Sequence, residues 1–100
     1  MKINKEMVEN WKKLYEEYKS IESTLKEGGV YTSKEVKRIC NIITNSLLIK
    51  EITFGEDKSS LSKEDFKLYL EICRIPEEIS DYLSGWKVYQ VADEQKEREE

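Results

Sequence analysis

Histidine does not occur in this chain of 100 residues, and proline occurs once. The missing histidine removes the usual general base near neutral pH and the commonest metal ligand. Cysteine is nearly absent as well. Cys40 and Cys73 form no CxxC pair, so a structural zinc site is not expected. Both sit among apolar residues and read as buried free thiols; a disulfide would need their α-carbons within about 7 Å. The four glycines, Gly28-Gly29, Gly55 and Gly85, match neither dinucleotide-binding nor P-loop spacing. Glu56-Asp57 lacks the ligand series of an EF-hand and reads as a solvated turn. No run approaches the ~18 apolar residues of a membrane span, and no membrane association is expected. The start, Met1 to Glu6, lacks the apolar core of a signal peptide, so the expected location is cytoplasmic. Every carboxylate also reads as a helix cap or a surface charge. No enzyme activity and no cofactor are expected.

What the chain does contain is charge and aliphatic bulk. Apolar and charged residues each make up 38% of it, the composition of a highly charged helical protein. The net charge of −4 is unevenly placed. Residues 1–27 balance six acids against six bases, whereas residues 93–100 hold five acids and two bases. Overall acidity weighs against generic nucleic-acid binding but leaves room for a local basic patch.

The strongest pattern runs from Asn4 to Lys26. Met7, Trp11, Leu14, Tyr18, Ile21 and Leu25 form one apolar stripe, broadened by Val8 and Tyr15, and Gly28-Gly29 ends it. Its width and its aromatics predict a central helix of one domain rather than a free two-stranded coiled coil. Glu9 with Lys13, and Glu22 with Lys26, have the spacing of helix-face ion pairs. Thr32 and Glu35 then have capping-box spacing. They predict a second helix over 33–49 whose apolar positions are Val36, Ile39, Cys40, Ile43, Leu47 and Leu48, with a break near Asn41–Asn45 left open. Ser62 reads as the N-cap of a third helix, with Leu61 and Phe66 at hydrophobic-staple spacing. That helix is expected to reach Cys73, burying Phe66, Tyr69 or Leu70, and Cys73. Pro76 suits the first turn of a fourth helix that Ser84-Gly85 ends.

The expected fold is therefore all-α, a compact bundle of about four helices with a long first one. Residues 1–92 form a single domain and residues 93–100 a charged tail. The stretches near 30–32, 52–54 and 86–91 leave short strands open, and 86–91 reads equally well as a further helical turn.

Two segments have helix-turn-helix character. Residues 32–52 place Val36 and Cys40 on a first helix and Asn41-Ile42 at a turn. Thr44, Asn45, Ser46 and Lys50 would then read bases, while Lys34, Lys37 and Arg38 contact phosphates. Tyr31 to Val36 resembles the start of the first helix in winged-helix regulators, which implies duplex DNA as a partner. Lys37 departs from that pattern, where a small residue is usual, and no basic two-stranded wing follows. Residues 66–91 resemble the helix-turn-helix of phage-type repressors, with Pro76 to Leu83 first and Ser84-Gly85 as the turn. Its second helix runs into acids that DNA would repel. An ordinary bundle with tight turns accounts for both segments and is the preferred reading.

The last cue is aromatic. Six tyrosines and two tryptophans exceed what so small a core needs. Trp86, Lys87 and Tyr89 lie near the end of the folded part, where Trp86 either closes the bundle, the preferred reading, or anchors a protein partner. The leading expectation is a small non-catalytic regulator or inhibitor, monomer or homodimer, that binds another macromolecule, its partner unidentified. The Lys-, Ile- and Glu-rich composition suits an AT-rich bacterium, its phage or a plasmid. A DNA-binding regulator is second, and an enzyme a distant third.

Overall fold

A computed structural model of the chain describes residues 3–28, 30–84 and 90–91. Three helices carry it: α1 (Lys5–Glu27), α2 (Ser33–Ile52) and α3 (Lys63–Ser84), each packed against the other two. Two short extended pieces, β1 (Val30–Tyr31) and β2 (Gln90–Val91), pair in parallel, Val30 opposite Gln90 and Tyr31 opposite Val91. The all-α class holds. The number of helices does not: there are three among the described residues, not four.

α1 forms where its pattern demands. The Asn4 side chain accepts from the Met7 N–H at 2.9 Å, filling an orphan donor of the first turn. At the other end Gly28 adopts φ +71, and its N–H donates to the Thr24 carbonyl. Val8, Trp11, Leu14, Tyr18, Ile21 and Leu25 are buried, with Met7 and Tyr15 at the stripe's edges. Glu22 does pair with Lys26, at 3.5 Å, but Glu9 pairs with Lys12 at 3.3 Å instead of Lys13. Both pairs are surface contacts and add little.

α2 opens with the expected capping box. Glu35 N–H donates to the Thr32 hydroxyl at 3.1 Å, and Thr32 N–H to the Glu35 carboxylate at 3.0 Å. The helix then runs unbroken through Asn41–Asn45 and ends at Ile52, three residues beyond the expected Ile49. Thr53 closes it in helical geometry, so residues 52–54 form a helix end and turn, not a strand. What carries the helix across the weak stretch is burial. Ile39, Ile42 and Ser46 lie on the inner face, and the Ser46 hydroxyl is satisfied by the Ile43 carbonyl at 2.8 Å. The buried face is thus rotated from the expected one, and Cys40, Leu47 and Leu48 are exposed.

α3 is one helix where two were expected. Ser62 caps it as read, its hydroxyl accepting from Asp65 N–H at 3.1 Å. Pro76 sits inside it rather than at a new start. A mid-helix proline costs about 3 kcal/mol through a lost hydrogen bond and a clash with the preceding turn. Ile72, Ile75 and Ile79 are completely buried on both sides of it. Each such side chain contributes roughly 1.5–3 kcal/mol on burial, so continuity wins. Phe66 and Leu70, placed near the expected core, instead stay 41% and 43% exposed, while Tyr69 is buried and packs against Trp11 with ring centroids 5.3 Å apart and planes tilted by 47°.

Candidate functional site

Among the described residues, no three acidic or cysteine side chains converge in a way that could hold a metal ion. The perturbed groups serve the scaffold. Tyr18 donates to the Glu78 carboxylate at 2.6 Å, and burial, with Glu78 beside it, pushes its ionisation well above the ordinary phenol value. Tyr69 is pushed up chiefly by burial. Its hydroxyl lies 2.8 Å from that of Thr53. Thr53 already gives its proton to the Ile49 carbonyl at 2.6 Å, so Tyr69 is the donor. These bonds tie the end of α2 to α3.

The residues read from the sequence as DNA contacts all fall on α2, and they do not share a face. Lys34, Lys37, Thr44, Asn45 and Lys50 are exposed. Arg38 is half-buried and donates to the Ser20 hydroxyl of α1 at 2.6 Å. Ser46 is buried against the core. The turn expected at Asn41-Ile42 lies within the continuous helix, as does the start of the second motif at Pro76. Trp86, Lys87 and Tyr89 lie outside the described residues.

A different surface stands out. Leu47 is 50% exposed, Leu48 and Ile52 46% each, and Phe54 87%. Three of these side chains follow one another along the last two turns of α2, and Phe54 lies just past its end. Single exposed leucines need no explanation, but a contiguous group of large apolar side chains on a small domain does.

Phe54 owes its position to a braced turn. Its own N–H donates to the Glu51 carbonyl at 3.3 Å, and Glu56 N–H donates to Thr53 at 3.1 Å. Gly55 follows with φ +78, the left-handed conformation that glycine adopts without strain. Lys58 then reaches back and donates to the Thr53 and Glu56 carbonyls, both at 3.0 Å, with its ammonium 5.4 Å from the Tyr69 ring centre. The turn is therefore held on both sides while its phenyl ring points into solvent.

Two shallow depressions adjoin the patch. One, of about 370 Å³, lies between α1 and α2 and is lined by Asn10, Lys13, Leu14 and Glu17 on one side and Asn45, Leu48, Ile49 and Ile52 on the other. The second, of about 340 Å³, is formed by Leu47, Lys50, Glu51 and Phe54. Each combines apolar side chains with one residue of each charge, Lys13 and Glu17 in the first and Lys50 and Glu51 in the second.

The sequence reading missed this site because α2 carries two apolar stripes. Val36, Cys40, Ile43 and Leu47 recur at helical spacing, and so do Ile39, Ile42, Ser46, Ile49 and Thr53. The sequence reading took Ile39 from the second but otherwise followed the first and added Leu48, because the second is interrupted by the hydroxyl residues Ser46 and Thr53. Ser46 and Thr53 bond to the helix's own carbonyls and are buried at little cost. Comparison of the chain with protein-family models, with curated proteins and with solved structures found no match.

Proposed function

We propose that this chain is a small non-catalytic binding protein, a regulator or inhibitor that acts by docking another protein on the exposed apolar end of α2. One observation carries the reading. Phe54 is held almost wholly in solvent by a braced turn and, with Leu47, lines a shallow depression at the end of α2, while Leu48 and Ile52 line a second one. A large rigid ring beside such a depression is the form that interface anchors take. Leaving it wet has no benefit to folding.

Duplex DNA draws less from the same geometry. Phosphate contacts need clustered free cations. Of the three proposed on α2, Arg38 is tied to Ser20, and Ser46 cannot meet a base edge from inside the core.

The test is site-directed photo-cross-linking in the native cells. A photoreactive residue at position 54 should give one covalent adduct with another protein, and the same residue at the exposed position 16 of α1 should not. If position 54 gives nothing above the position 16 control, or labels only a second copy of this chain, the proposal fails. A shift of duplex DNA at low salt that disappears when Lys34, Lys37 and Arg38 become Ala would replace it with the DNA reading.

A further inference from the structure

The outermost strip of α2 is made by Lys37, Cys40, Thr44, Leu47 and Glu51, all exposed, at intervals of three, four, three and four residues. That spacing is the seam by which one helix lies along another. α1 and α3 pack on the opposite side of α2, where Ile39, Ile42 and Ser46 are buried. No described helix of this chain covers the strip.

Its charges specify what fits. Lys37 and Glu51 stand seven residues to either side of Thr44, about 10 Å each way along the helix axis. They are too far apart to meet within one chain, and neither is in an ion pair among the described residues. A second copy laid antiparallel, with the two-fold axis at Thr44, brings Lys37 of each copy onto Glu51 of the other. In the same register Leu48 meets Cys40 and Leu47 meets Asn41, so each leucine is covered by a smaller side chain. A parallel pair would set Lys37 on Lys37 and Glu51 on Glu51. A pair centred between Leu47 and Leu48 would carry Lys37 past the end of the partner helix and leave both charges unmatched.

We propose that the chain self-associates through α2 as an antiparallel two-fold pair centred on Thr44, with Lys37 of each copy facing Glu51 of the other. The pairing goes beyond the docking function proposed above; in this register Phe54 lies three residues past the Lys37–Glu51 contact, level with Lys34 in the first turn of the other copy's α2. One helix face covers less than the roughly 800 Å² per partner of a standard stable interface, so the dimer is a micromolar one.

Sedimentation equilibrium on the purified full chain, under reducing conditions at low salt, tests it. The wild type should pass from monomer to dimer between about 1 µM and 1 mM. Lys37→Glu alone and Glu51→Lys alone should each weaken the dimer by about tenfold, because two symmetric attractions become repulsions. The double exchange should restore it to within about threefold of the wild type. All three variants change exposed side chains, and circular dichroism checks their fold. In a Cys40→Ser, Thr44→Cys chain, a short bifunctional maleimide should link two copies. In the wild type it should not, because the two Cys40 residues lie about 12 Å apart along the helices. A chain that stays monomeric throughout, or a dimer indifferent to the single exchanges, overturns the proposal. Neither result touches the adduct expected from position 54, which reports a different protein.

Discussion

At the residue scale the division between scaffold and surface is sharpest at two aromatic side chains, Tyr18 and Phe54. Tyr18 is buried on α1 with its hydroxyl on Glu78, and that environment favours the neutral phenol. The folded state therefore keeps the Tyr18 proton to higher pH than the unfolded chain, which releases it near the ordinary value of 10. Its contribution to stability is complete below pH 10 and is lost as pH rises above that. Urea melts between pH 9 and 12 should show stability falling from about pH 10, and Tyr18→Phe should flatten that fall. An unchanged slope in the variant would mean that Tyr18 ionises in the folded protein as freely as in the unfolded one. Phe54 has no such ties. Its ring touches little, and its reason for being there must lie outside the described fold.

At the element scale, the sequence made plain the parts whose signals are local. The Thr32 and Ser62 caps depend on residues three apart and hold as read; Asn4 caps α1 at the same spacing. The α1 stripe is wide enough to leave one orientation. The α2 orientation was not legible, because the choice between its two stripes depends on what α1 and α3 present to it, and that is long-range information. Pro76 misled for a related reason. Locally it marks a helix start, yet fully buried isoleucines before and after it hold one continuous rod. The proline is then a cost that the packing overcomes. Pro76→Ala should restore a hydrogen bond to the Ile72 carbonyl and raise the unfolding free energy by about 1–3 kcal/mol, less whatever proline gives by restricting the unfolded chain. Urea denaturation measures this directly. A destabilised variant would show that the helix bends at Pro76 in a way the core requires.

On the scale of the whole molecule, three amphipathic helices enclose one core, and α2 brings more apolar surface than the other two can cover. Inner and outer stripes of α2 are assigned different work. Ile39, Ile42 and Ser46 fill the core, whereas Leu47, Leu48, Ile52 and Phe54 add nothing to it. Stability and binding should then separate cleanly. Leu48→Glu combined with Phe54→Ser should leave the unfolding free energy within about 0.5 kcal/mol of the wild type, as exposed substitutions do. A photoreactive residue at the neighbouring exposed position 50 should capture the protein partner in the otherwise wild-type chain and lose it in this variant. Truncating a fully buried residue of the inner stripe, Ile42→Ala, should cost about 2–5 kcal/mol by comparison. A loss above about 1 kcal/mol in the outer-face variant would place that face in the core and leave the binding surface without its physical basis. Equal stability with an undiminished adduct would move the contact elsewhere on the molecule. Only a fold that ignores both substitutions, joined to a lost adduct, fits a helix that uses one side to build the protein and the other to engage its partner.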